Sequence, residues 1–139
     1  MFARIMIAND GSKPAVQGLA FALKLAKQNA SELHMVSIEE IDYMPEFVEE
    51  VREEADSAAR RYRGVVKRAR ELADKEGVAI ETHILRGHPV RDIVRLIQEL
   101  KIELLVIGAT GHSGFYERII GSRADRIVQL STCPVLVVK

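Results

Sequence analysis

The residues whose types and spacing could do chemistry lie between Gly108 and Ser122: Gly108-Ala109-Thr110-Gly111, nine residues, then Gly121-Ser122. An apolar run, Leu104 to Ile107, precedes them, and an amphipathic segment, Arg123 to Leu130, follows. The order is strand, glycine-punctuated loop, helix start. Such loops hold phosphate, because glycine lets the backbone approach and a helix N-terminus points N–H groups at an anion. Nine residues fully extended would reach about 30 Å. They must therefore fold back, as a short helix near Phe115–Ile120, and bring Gly121 beside Gly111, closing N–H groups around an anion.

Three better-known motifs do not fit. A P-loop needs G-x-x-x-x-G-K-[ST], and no lysine precedes Ser122. The dinucleotide fingerprint belongs on the first strand–helix turn, where Asn9-Asp10-Gly11-Ser12 has a single glycine. A nucleophile elbow needs G-x-S-x-G, and Gly111-His112-Ser113-Gly114 is one residue short.

The elements that must position this loop are legible from periodicity. Ile5–Ala8 reads as a buried strand ending in the turn Asn9-Asp10-Gly11-Ser12, with Ser12 as N-cap and Pro14 in the first turn of a helix over Lys13–Asn29. Val16, Leu19, Ala20, Leu23 and Ala26 mark its expected face. Leu33–Ile38 is a second strand, and a long helix runs from about Glu46 to Glu76, closed by Gly77 as a C′ glycine. Val78–Leu85 alternates apolar and polar residues, as an edge strand does. Arg86-Gly87-His88-Pro89 turns into a helix with Val90, Ile93, Ile97 and Leu100 on its apolar face. Leu104–Ile107 is a continuous apolar interior strand. Ala124, Ile127, Val128 and Ser131 are expected to face inward on the last helix, before a final strand, Val135–Val138. This βαβαβαβαβ order predicts an α/β protein, a parallel sheet covered on both faces, with ligands beyond the strand carboxyl ends.

Composition narrows the function. The 139 residues suit one domain, 1–139, with a substantial core. Lys+Arg and Asp+Glu are 20 each, so no basic excess invites nucleic acid. No apolar run is long enough for a membrane span, and the opening Met-Phe-Ala-Arg-Ile-Met-Ile reads as strand rather than leader. With one cysteine, Cys133, an internal disulfide is excluded and a reducing, cytoplasmic setting is expected. Cys133 reads as a small packing residue, and His34, His83 and His88 show no metal-ligand spacing, which assigns them to packing or surface roles.

The spacing that does fit, G-x-x-G, nine residues, G-[ST], resembles the ATP-binding signature of the universal stress protein family. Ile7-Ala8-Asn9-Asp10-Gly11-Ser12, Arg86-Gly87-His88-Pro89 and Cys133-Pro134-Val135-Leu136-Val137-Val138 extend the resemblance over the whole chain. It implies a single-domain α/β/α sandwich, Rossmann-like, with a five-stranded parallel sheet of order 3-2-1-4-5. It also implies ATP, or another adenine nucleotide, at the ends of strands one and four, with Mg2+ or Mn2+ as a candidate metal. Carried over by motif, Gly108, Ala109 and Gly111 would approach ribose and phosphates, with His112, Ser113 and Gly114 continuing that wall. Gly121 and Ser122 would hold the outer phosphates, Ser122 also capping the last helix. Ala8, Asn9 and Asp10 would line the adenosine side, and Ile38 would meet the adenine edge through its backbone. Asp10 reads equally as a turn former, and His112 as a backbone or a side-chain contact. Arg123, like Arg118, reads as a phosphate contact or a surface charge; many relatives carry a small or apolar residue at the Arg123 position.

Three functions follow: a nucleotide-binding stress or regulatory protein, a slow metal-dependent ATPase with Asp10 as candidate base, or a dimerisation module without nucleotide. Val135–Val138, apolar on both faces, would be a sheet edge, and a homodimer through that strand closes it.

Overall fold

The computed structural model describes residues 1–41, 48–109 and 120–139; for residues 48–58 it describes the backbone alone. Five strands, β1 (Arg4–Ala8), β2 (Glu32–Glu40), β3 (Ile80–Gly87), β4 (Leu104–Gly108) and β5 (Val135–Val138), form one parallel sheet in the order β3-β2-β1-β4-β5. Helices α1 (Lys13–Asn29), α2 (Val48–Glu76), α3 (Pro89–Glu99) and α4 (Ser122–Leu130) cover it. None of the described helices is long and apolar enough to cross a membrane.

Strand alternation sends side chains to two cores. Ile5, Ile7, Leu33, Met35 and Val106 pack with Leu19 and Leu23 of α1 and Val66, Ala69 and Ala73 of α2. Met6, Val36, Leu105 and Ile107 pack with Ile93, Leu96 and Ile97 of α3 and Ala124 and Ile127 of α4. The two clusters lie on opposite sheet faces, and Ile5–Ala8 of β1 and the whole of β4 are apolar because both of their faces are covered.

Helix ends follow local chemistry. Gly77 has φ 69°, and the Val78 N–H reaches back to the Ala73 carbonyl at 2.9 Å, a Schellman closure of α2. Val78 is thereby spent on the helix end, and β3 starts at Ile80 instead. β2 runs two residues beyond the expected Ile38, because its pairing with β3 continues to Glu40↔Gly87. At the start of α3, the Asp92 carboxylate accepts the His88 N–H at 3.0 Å and occupies the space that a side chain at Gly87 would need.

Two helix faces differ from the sequence expectation. Val16 and Ala20 are exposed, and α1 buries Ala15, Gly18, Leu19, Ala22, Leu23 and Ala26. Small residues let α1 sit close to the sheet: a methyl added at Gly18 would lie 3.1 Å from Ile7 Cδ1. On α4, Val128 is exposed while Ala124 and Ile127 are buried.

Gly108 has a packing reason of its own. A methyl there would lie 2.9 Å from Pro14 Cβ and 3.0 Å from the Pro14 carbonyl carbon, in the first turn of α1. The strand can approach that turn only without a side chain. Gly108→Ala is expected to cost about 1–3 kcal/mol through backbone displacement, read as a lower urea midpoint; an unchanged midpoint would contradict this close approach.

Candidate functional site

The chain leaves β1 through two consecutive turns made by side chains. Asn9 Oδ1 accepts the Gly11 N–H and Asp10 Oδ1 accepts the Ser12 N–H, both at 2.9 Å. These are Asx turns, and Gly11 supplies the positive φ, 84°, that the reversal requires. Asn9 is buried and tied to β2: its N–H donates to the Val36 carbonyl, and its own carbonyl accepts the Ser37 hydroxyl at 2.7 Å. The turn-forming reading of Asp10 is thus a fact of the structure, and its carboxylate lines a cavity as well.

Ser12 occupies the N-cap position of α1, in extended conformation, but its hydroxyl makes no capping bond. Pro14 at N2 has no N–H to offer. Among the described residues Ser12 Oγ, which is buried, has no hydrogen-bond partner, and it lines the same cavity as Asp10. An orphaned buried hydroxyl is costly unless something fills the role of partner.

The far side of the cavity is set by Ala109. Its N–H donates to the Val138 carbonyl at 2.8 Å, and its carbonyl accepts the Gly121 N–H at 2.7 Å. The second bond fixes the start of α4 beside the end of β4. Gly111, His112, Ser113, Gly114 and Arg118 lie outside the described residues, as does residues 115–119 of the expected short helix. The N-cap of α4 is Gly121, where Ser122 was expected to cap. The cause is the ladder: the Gly121 carbonyl already accepts the Asp125 N–H at 2.9 Å, so Ser122 is the first helical residue. Its N–H is among the four that an α-helix leaves unpaired at its start. The Arg123 guanidinium pairs with the Glu40 carboxylate, bridging the start of α4 to the end of β2.

β2 supplies the remaining wall. Val36 turns its carbonyl toward β1, and strand alternation turns the backbone of Ile38 to the same side, past the point where β1 has ended. Tyr62, from α2, donates its hydroxyl to the Ile38 carbonyl at 3.2 Å. Ile38 lines the cavity, and its carbonyl already accepts this one bond.

Together these segments enclose about 500 Å³ at the carboxyl ends of β1 and β4. Ala8, Asn9, Asp10, Ile38, Gly108, Ala109, Gly121, Ser122 and Arg123 all line it. Val36, Ile93, Ile107 and Ile127 add an apolar lining, with Ser12 among the polar groups. An apolar slot with a few polar groups and a helix N-terminus suits a flat heteroaromatic ring carrying an anion. Sequence reasoning missed Ser12, read solely as a cap; the proline two residues on was the available signal. It also missed Tyr62, read as one residue of an apolar helix stripe.

Burial pushes the Tyr62 hydroxyl above the ordinary tyrosine value of 10.0; the Asp10 and Glu39 carboxylates push the same way, and Arg61 and Arg123 oppose them. A hydroxyl that holds its proton more tightly when folded contributes stability that is complete below pH 10 and lost as pH rises through the folded value. Tyr62→Phe is expected to cost about 1 kcal/mol at neutral pH and to flatten the alkaline decline in thermal stability. Parallel declines above pH 10 in the two proteins would contradict this environment.

Comparison with known proteins agrees with the architecture. The model of the universal stress protein family matches residues 1–139. Universal stress protein YxiE of Bacillus subtilis is 34% identical, with all of both chains covered. Universal stress protein UspA from Lactobacillus plantarum superposes with a TM-score of 0.88 at 22% identity, covering 99% of this chain and 98% of that one. Two further neighbours were solved with ligands: a universal stress protein in complex with cAMP (TM-score 0.73, 24% identity, 99% and 96% covered) and an Arabidopsis thaliana family protein with AMP bound (0.72, 18%, 99% and 91%). The full-length family match, on a parallel sheet of order 3-2-1-4-5 with this cavity at its switch point, places the chain in the universal stress protein family.

Proposed function

We propose that the cavity binds an adenine nucleotide, with ATP as the preferred ligand, and that occupancy makes the protein a regulator in the stress response. The observation that carries this reading is the orphaned Ser12 hydroxyl, buried in the same cavity that the N-terminus of α4 lines. The apolar lining from Val36 and Ile38 fits the base, and the Ile38 backbone, beyond the end of β1, fits its hydrogen-bonding edge. Ser122 and Arg123, at the start of α4, fit the phosphates. The cAMP and AMP complexes of two fold neighbours support the adenine nucleotide class. Asp10 is the carboxylate placed to meet a Mg2+ or Mn2+ ion carried by the phosphates, with Oδ1 retained in its turn.

The orphaned hydroxyl gives a test with two opposite signs. Ser12→Ala is expected to weaken ATP binding about 5-fold, the loss of one hydrogen bond, while leaving the nucleotide-free protein as stable or more stable. Isothermal titration and thermal melts measure the two effects. No heat from ATP, ADP, AMP or cAMP at millimolar concentration, with wild type, would refute the proposal.

A second element of the proposal is a homodimer through β5. This edge strand leaves Val135, Leu136 and Val137 only half-buried, and the neighbouring helix α4 exposes Val128 and Leu130. An apolar edge beside exposed apolar side chains is an association hazard that two-fold pairing removes. Val137→Asp is expected to convert the dimer to monomer or aggregate in sedimentation; an unaltered dimer would place the interface elsewhere.

A further inference from the structure

At the sheet's other edge, away from the nucleotide cavity, the fold assembles donors that the sequence keeps 49 residues apart. His34 lies on β2 directly opposite Glu81 on β3, and His83 is two residues further along β3. Paired residues of parallel strands share a face, and so do residues two apart. His34, Glu81 and His83 therefore project together from one face. The sequence reading has His34 and His83 as scattered residues with packing or surface roles; the register brings the two together.

The donor atoms converge. His34 Nδ1 lies 3.2 Å from His83 Nε2 and 3.6 Å from a Glu81 carboxylate oxygen; the other Glu81 oxygen is 4.0 Å from His83 Nε2. Four-coordinate zinc with bonds of about 2.0–2.1 Å holds its ligand atoms about 3.3 Å apart. The remaining ring nitrogen of His34, Nε2, faces Glu32 Oε1 at 3.4 Å, and Arg4 holds the other Glu32 oxygen at 3.4 Å. A carboxylate behind the distal nitrogen is the arrangement that fixes the tautomer of a metal-ligating histidine, here leaving the Nδ1 lone pair toward His83. The two rings stack with centroids 5.5 Å apart and planes at 17°. His34 is buried, whereas the Glu81 side chain is more than half exposed, so an ion has a path from solvent and water can complete its coordination.

We propose that His34, Glu81 and His83 bind a divalent transition metal, with Zn2+ favoured by the imidazole and carboxylate donors. Glu32 is the positioning residue behind His34. The ion clamps the edge strand β3 to β2 and stabilises the fold by binding only the paired state. This site is independent of the nucleotide cavity.

The test uses untagged, chelator-stripped protein without nucleotide, titrated with ZnCl2 and separately with CoCl2. Wild type is expected to bind one ion per chain, to melt at a higher temperature with Zn2+, and to give the visible absorption of four-coordinate Co2+. Because His34 is buried, the exposed Glu81→Gln and the edge-strand His83→Gln are the diagnostic variants. Each is expected to melt near wild type in chelator and to bind Zn2+ at least about 10-fold more weakly; Glu32→Gln should weaken binding about 10-fold. Absence of any Zn2+-dependent shift in wild type would overturn the proposal, as would Zn2+ affinity unchanged in both ligand variants.

Discussion

The arrangement of the molecule depends on Ala109. Its N–H is held by the Val138 carbonyl of β5 and its carbonyl by the Gly121 N–H. Through these two bonds the end of β4 is fastened to its neighbour strand and to the start of α4. The unpaired N–H groups of α4 are thereby fixed beside the end of β1, the point at which the strand order reverses. Gly108 reinforces the constraint by letting the first turn of α1 rest on the backbone of β4. Two helix beginnings are thus brought to one cavity. Ligand sites at such switch points arise because adjacent connections depart to opposite faces and leave a crevice between them.

The cost of this arrangement falls on Ser12. Its hydroxyl is buried in the crevice with no partner among the described residues, while its backbone starts the ladder of α1 by accepting the Val16 N–H at 2.9 Å. Backbone geometry there is set by the turn that Asn9 and Asp10 make, which holds Ser12 at the lining of the crevice. A polar group left in this state is one that the proposed ligand would satisfy. The Arg123–Glu40 pair has a related character: it spans the crevice from α4 to β2, and an anionic ligand would compete with Glu40 for the guanidinium.

Local signals made most of the fold legible. Ser12, Pro14 and the apolar spacing gave α1 its bounds, Lys13–Asn29, and Gly77 marked the end of α2. The turn Asn9-Asp10-Gly11-Ser12 and the pair Gly108 and Gly121 pointed to the crevice because turn and loop chemistry is local. The face of α1 was misjudged because residue type was read without packing distance: Val16 is apolar but exposed, and Gly18 is buried because the sheet is too near for a side chain. Tyr62 and the His34–His83 pair could not be read from spacing at all. Each depends on which residue of another element lies opposite, and a slip of one residue in the β2–β3 register would send the two histidines to different faces.

The central claim is that an adenine nucleotide sits between the ends of β1 and β4 and the start of α4. Amide NMR shifts of labelled protein during ATP titration test it residue by residue. The account predicts the largest shifts at Ala8 to Ser12, Ile38, Ala109 and Gly121 to Arg123, with Glu32 to His34 and Glu81 to His83 unmoved. No shifts at millimolar ATP, or the largest ones outside the crevice, would contradict it.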